Sequence, residues 1–346
     1  MARNFFYKYG EKNFAFKTLY EMDPIDKSLK MIQKGGKALK NCEVYWLCIF
    51  NGDFRFRDFN KITETHKNVK SRKKTELHHT QFKDCRNFFG AKNGDILWVF
   101  TETNIFAFEL LEDKTYDADS DELIKPTDIP DCLGLLPDYP KLRKAKLAIT
   151  PLKRFEYTVP EIFLSTDTSG IYGTIRLLDG DRDANSKIGT SLVTSKKIKP
   201  SSNFEILDFL SPTQLETFLF KVFDSNDFFV SSCKGASRSQ IDLHIFPKEQ
   251  TISLGGLTVD INDGLLLQVK RRITSEDAIE FLKNSDSNIF LFTLSDIGQL
   301  GPQNIGIASR LIDKSHIIKN LVDCNEVEKA MAWAKKILGS RCFDFN

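Results

Sequence analysis

Leu265-Leu266-Leu267-Gln268-Val269-Lys270 is an apolar run that ends in a polar-x-Lys triplet. Such a short apolar run predicts a buried strand. Upstream, Gln240-Ile241-Asp242-Leu243-His244-Ile245 predicts a second strand, from Ile241 to Phe246, that carries Asp242. Strand side chains alternate between faces, so Gln268 and Lys270 share one face, and an adjacent strand can add Asp242 to it. A carboxylate, an amide oxygen and an ammonium then meet on one surface.

The segments before Asp242 extend this order. In Leu215-Glu216-Thr217-Phe218-Leu219-Phe220-Lys221-Val222-Phe223 the apolar residues 215, 218, 219, 222 and 223 follow helical spacing, which places Glu216 beside the apolar stripe. Phe228-Phe229-Val230 predicts a strand and Lys234-Gly235-Ala236-Ser237 a turn. Helix, strand, turn, aspartate strand and Gln-x-Lys strand, in that order, resemble the PD-(D/E)XK nuclease superfamily. Within it they resemble the Mrr-type restriction endonucleases, in which glutamine takes the place of the second carboxylate. The resemblance covers the chain from Ser211 onward. Ile241 stands where proline is common, and the interval after Pro247 is long enough for an extended hairpin between the two strands.

The resemblance implies a restriction-endonuclease-like mixed sheet flanked by helices, and a metal-dependent endodeoxyribonuclease acting on double-stranded DNA as a homodimer. Glu216, Asp242 and Gln268 would then hold Mg2+, with Mn2+ as a substitute, and Lys270 would complete the catalytic set. Those residue types suit the chemistry. Hydrolysis of a phosphodiester needs hard oxygen ligands for a divalent ion and a fixed positive charge near the phosphoryl oxygens. Of Arg271 and Arg272, one is expected at the phosphate backbone, and the spacing does not choose between them.

With 49 Lys and Arg against 47 Asp and Glu, the net charge of +2 excludes a polycation that grips nucleic acid over its whole surface. Any nucleic-acid site must be a local patch. Basic runs occur at Lys67, Lys70, Arg72, Lys73 and Lys74, and again from Lys141 to Arg154, and Lys73 and Lys74 are candidate DNA contacts. The seven cysteines show no paired C-x-x-C spacing, which argues against a zinc ribbon or a disulfide framework and for a reducing compartment. No apolar segment of spanning length is evident and Met1 to Tyr7 lacks a signal-like core, so a cytoplasmic location away from membranes is expected.

The N-terminal part predicts a helix started by Asp23-Pro24, a buried strand at Val44 to Phe50, and a hairpin in which Asn93-Gly94-Asp95 launches Ile96 to Phe100 and Ile105 to Leu110 returns. A Tyr-Trp-Leu strand, a basic connector and Gly-Asp-Ile-Leu-Trp loosely resemble the PUA and EVE family of small β-barrels. That likeness implies an aromatic pocket for a modified base, with Trp46 and Trp98 as candidates for stacking.

An acidic connector and Pro126, Pro130, Pro137 and Pro140 mark a boundary. The expected fold is thus α/β (α+β). Residues 1–135 form a β-rich target-reading domain, 136–205 a β-rich linker or insert that either joins the first domain or stands apart, and 206–346 the nuclease domain. The functional expectation is an endonuclease of restriction or defence type, with modification dependence set by the reader. Its rivals are an effector nuclease switched by a small activator, and a nucleic-acid-binding protein whose nuclease core has decayed.

Overall fold

A computed structural model describes residues 2–8, 45–49, 87, 90–100, 104–114, 116–117, 141–165, 175–178, 184–224, 228–233, 241–248, 251–254, 257–260, 264–295, 297, 307, 310–313 and 324–345. The chain divides into two compact units, Met1–Glu156 with Thr166–Lys196, and Tyr157–Ser165 with Lys197–Asn346. The helix expected after Asp23 lies outside the described residues.

The first unit is built on a sheet of eight strands: β1 (Asn4–Lys8), β2 (Tyr45–Ile49), β3 (Ile96–Phe100), β4 (Asn104–Leu110), β5 (Tyr116–Asp117), β6 (Lys141–Leu147), β7 (Leu152–Lys153) and β8 (Ile175–Leu178). Its order is β2-β6-β4-β3-β1-β8, with β5 beside β6 and β7 beside β4. Only β1 and β3 run parallel; the other pairs are antiparallel. Among the described residues β2 and β8 remain the two ends of an open sheet, so the expected closed barrel is corrected. Strands β6 and β8, from the stretch read as linker or insert, lie in this sheet.

The hairpin of β3 and β4 forms where the Asn93-Gly94-Asp95 turn predicts it. Gly94 takes a φ of 81°, which a side chain would strain. Asp95 locks the turn by accepting from the Lys92 and Arg3 backbone N–H groups and pairing with the Arg3 guanidinium at 2.6 Å. All five residues of β3 are buried, as befits a strand covered on both faces.

Helix α1 (Ala184–Thr194) runs close to Trp98 and Asn4. A methyl group at Gly189 would stand 3.0 Å from the Trp98 indole nitrogen, so glycine permits this approach. Trp98 is fully enclosed; its N–H donates to Asn4 Oδ1 at 3.0 Å, and Asn4 Nδ2 donates to Thr190 Oγ1 at 2.8 Å. With no ring face open and its only donor satisfied, Trp98 fills the core and does not offer a stacking surface to a base. Trp46 lies in β2, where only the backbone is described.

The second unit has a five-stranded mixed sheet, formed by β9 (Phe228–Cys233), β10 (Leu243–Pro247), β13 (Leu265–Lys270), β14 (Ile289–Thr293) and β15 (Leu311–Asp313), in the order β15-β14-β13-β10-β9. Strands β9, β10 and β13 pair antiparallel, whereas β13, β14 and β15 pair parallel. The interval between β10 and β13 folds back as the hairpin β11 (Thr251–Leu254) and β12 (Leu257–Asp260).

Helix α2 (Pro212–Phe223) packs on β9, β10 and β13, and α4 (Cys324–Leu338) packs on α2. Ser211 and Gln214 form a capping box and Pro212 opens the first turn, so the start of α2 is fixed by sequence. Helix α3 (Ser275–Lys283) covers β14 through Ala278, Leu282 and Leu291. Its cap is Thr274, whose hydroxyl accepts from the Asp277 N–H at 3.1 Å. Ser275 instead turns its hydroxyl to the Ile297 carbonyl. Among the described residues no helix is long and apolar enough to cross a membrane.

Removing the Trp98 indole takes the donor from Asn4 Oδ1 and leaves a large cavity beside α1. Trp98→Ala should cost about 3–5 kcal/mol of stability. Denaturant melting checks this, and a loss below about 1 kcal/mol would contradict the enclosed position.

Candidate active site

Asp242 sits at the mouth of β10. The ladder with β13 begins at Leu243, but the Asp242 N–H still donates to the Leu267 carbonyl at 2.9 Å, which holds the residue against the neighbouring strand. Its carboxylate Oδ2 accepts from Gln268 Nε2 at 2.5 Å and from the Val269 N–H at 2.6 Å. Gln268 and Lys270 stand two residues apart on β13 and therefore on one face, and the bond from Gln268 brings Asp242 onto it. Gln268 and Asp242 are 3% and 7% exposed, whereas Lys270 is exposed.

Gln268 Oε1 is buried and has no hydrogen-bond partner among the described residues. An orphaned carbonyl oxygen costs on the order of 1–3 kcal/mol unless a donor or a cation completes it.

Glu216 approaches from α2, half-buried. Burial pushes its carboxyl up from the usual 4.5 to about 7; the charge of Asp242 adds to the rise and Lys270 opposes it. Burial also raises Asp242, against the Val269 N–H and Lys270, which favour its ionised form. Glu216 thus senses the charge of Asp242, and both carboxylates sense the same ammonium. The four residues read from the sequence as the catalytic set come together.

The flanking residues divide. Arg271 is half-buried and its guanidinium donates to the Asp208 carbonyl, while Arg272 is exposed. Lys73 and Lys74 lie outside the described residues, and Lys146, from the second basic run, pairs with Glu109 at 3.2 Å. His244 and Phe246, which alternate with Asp242 along the same face, were not singled out from the sequence. The two-residue period that selects Gln268 and Lys270 also selects them.

The two carboxylates and the amide oxygen are hard-oxygen donors, the type of ligand that Mg2+ or Mn2+ takes. Among the described residues no group of three or more His, Cys, Asp or Glu gathers, so any ion here would depend on the glutamine oxygen. Comparison with known protein families, curated proteins and solved structures gives no match for this chain.

The raised Glu216 carboxyl has a consequence for stability. The folded chain keeps a proton between about pH 4.5 and 7 that the unfolded chain releases, so stability falls as pH rises through that window. In EDTA, Glu216→Gln should match the parent at pH 4.5 and melt higher at pH 8. The gain should be about 1 kcal/mol after allowance for solvent screening, or roughly 2–4 °C. A lower melting temperature for the variant at pH 8 would contradict the crowded carboxylates.

Proposed function

We propose that the second unit is a metal-dependent nuclease that hydrolyses phosphodiester bonds of DNA, with a restriction-endonuclease-like core. The observation that carries this reading is the buried Gln268 side chain, whose nitrogen holds Asp242 and whose oxygen no described donor reaches, with Lys270 on the same strand face and Glu216 near enough to feel the charge of Asp242. An isolated Gln-x-Lys pair on a strand supports nothing. A buried amide oxygen that no described donor reaches, on a side chain whose nitrogen holds Asp242, leaves a place for a cation.

On this reading Glu216, Asp242 and Gln268 hold a Mg2+ ion through oxygen. When bound, the ion offsets negative charge on the phosphoryl oxygens and lowers the pKa of an attacking water. The chain supplies the rest. Asp242 is held in place by Val269 N–H and Gln268 Nε2, so its second oxygen keeps one orientation. Lys270 stabilises charge that develops on the phosphate and orients the nucleophilic water, as an exposed ammonium on a rigid strand can. Arg272, exposed two residues beyond Lys270, is the candidate of its pair for a backbone phosphate, because Arg271 is turned to Asp208. Cleavage of both strands by a single site in each chain calls for a homodimer, and the first unit is left as the candidate reader of the target.

The test is incubation of the purified chain with Mg2+ and plasmids with and without base modification. Lys270→Ala should lower cleavage by about 10²- to 10³-fold while DNA binding persists, since the ammonium acts chiefly in the transition state. Cleavage by this variant at the parental rate would overturn the assignment. Asp242→Ala should be as inactive and should lose the rise in melting temperature that Mg2+ gives the parent.

Position 268 separates ligand from bystander. Gln268→Glu keeps an oxygen and adds charge, so cation affinity should hold or rise and activity should survive. Gln268→Leu should abolish both. Equal cation binding by calorimetry in all three proteins would remove Gln268 from the site.

A further inference from the structure

Strand β10 carries more than Asp242 on its catalytic face. Its burial alternates, with Leu243, Ile245 and Pro247 buried and His244 and Phe246 half-exposed. Asp242, His244 and Phe246 therefore form one row. On β9, Phe229 pairs with Phe246 and Phe228 with Pro247. Phe228 turns to the edge of Phe223 on α2, so Phe229 turns to the face that carries the row. On that face α3 covers Leu291 of β14.

The row carries an aromatic step in which Phe229 and Phe246 are nearly parallel and His244 is tilted by 46° to Phe246. The rings of Phe229 and Phe246 stack with centroids 5.4 Å apart and planes 16° apart, and the His244 ring lies 4.2 Å from Phe246. Phe229 is 42% exposed, one of the few large apolar side chains in the second unit left open to this degree. Gly264 supports the step from below: its φ is 58°, and a methyl group there would stand 2.9 Å from the Phe246 ring and 3.0 Å from His244 Nε2. A side chain at 264 would tip both rings.

Phe246 lies four residues from Asp242, about 13 Å along an extended strand. That is the length of roughly four stacked nucleotides, and of fewer once a base has left the stack. We propose that Phe229, backed by Phe246, is a stacking shelf for a nucleobase of the same strand whose phosphate lies at Asp242 and Lys270. The substrate at this site then has an unstacked base close to the cut: a single strand, a frayed end or an extruded nucleotide. This rests on the nuclease reading above. The occupant is a base because the shelf continues the face of the phosphodiester site and offers a ring surface, which every base can cover with its own.

The experiment uses the full chain in EDTA, where no cleavage competes, and a single-stranded oligonucleotide with one 2-aminopurine, beside the same sequence as a duplex. Binding to the single strand should be the tighter, with 2-aminopurine emission quenched by stacking. Phe229→Ala should weaken it by roughly 5- to 100-fold, the worth of one base on an aromatic ring, and Phe229→Tyr should restore it. Equal melting temperatures for the three proteins establish that the fold is kept.

Cleavage by the parent and by Lys270→Ala in Mg2+ is measured in parallel. Lys270-dependent cleavage together with parental affinity in Phe229→Ala would overturn the shelf and leave the nuclease standing. Neither cleavage nor binding by the parent would overturn both. If Phe229→Ala instead turns a dimer into a monomer in sedimentation with unchanged affinity per chain, Phe229 is a self-association contact and the shelf is overturned.

Discussion

The second unit depends on the pair of hydrogen bonds that Asp242 Oδ2 accepts, from the side chain of Gln268 and the backbone of Val269. At this point the antiparallel ladder between β10 and β13 stops being backbone to backbone and a carboxylate takes over. A buried carboxylate costs several kcal/mol unless donors meet it, and here the donors come from a single neighbouring strand. Slipping the register by one residue would turn Gln268 and Lys270 to the opposite face and leave Asp242 buried without them. The geometry of the candidate site and the register of the sheet are therefore one constraint.

That constraint also explains a glutamine at 268. Asp242 and Glu216 already resist ionising together, each raised by burial, and Glu216 further by the charge of Asp242. A third carboxylate would deepen that repulsion in the absence of a cation. An amide contributes an oxygen without a charge and, through Nε2, a donor that holds Asp242 still. A neutral oxygen binds a hard cation more weakly than a carboxylate does, so on the proposed reading the glutamine would favour the cation-free fold at the expense of affinity.

Local chemistry made much of this legible in the sequence. Ser211, Pro212 and Gln214 announce the start of α2, the spacing of Leu215, Phe218, Leu219, Val222 and Phe223 gives its buried face, and Asn93-Gly94-Asp95 gives the first hairpin. Strand alternation joined Asp242, Gln268 and Lys270, and Glu216 was added by what the resemblance to the nuclease superfamily implies. What escaped was non-local. Whether a sheet closes depends on its end strands meeting, which no single strand encodes, and the open first sheet departs from a barrel on that account. Trp98 stays a candidate stacking platform as well as a core residue until Asn4 and Gly189, far away in sequence, are seen around it. Thr274 and Ser275 are adjacent hydroxyls with equal claims to a cap, and only the Ile297 carbonyl decides between them.

The enclosure of Trp98 bears on where recognition would reside. A base reader needs an aromatic face in contact with solvent, and in the first sheet that tryptophan has none. Phe229 does, and it shares a sheet face with Asp242 and Lys270. Phosphate contacts position a nucleic acid but carry no sequence information, whereas contacts to bases discriminate. If both kinds of contact lie on β9, β10 and β13, they are held by one hydrogen-bonded framework. A base that fails to settle on Phe229 then displaces the phosphate from Lys270, because the sheet cannot yield between them. Selectivity would enter the rate of cleavage directly, without a moving part to transmit it.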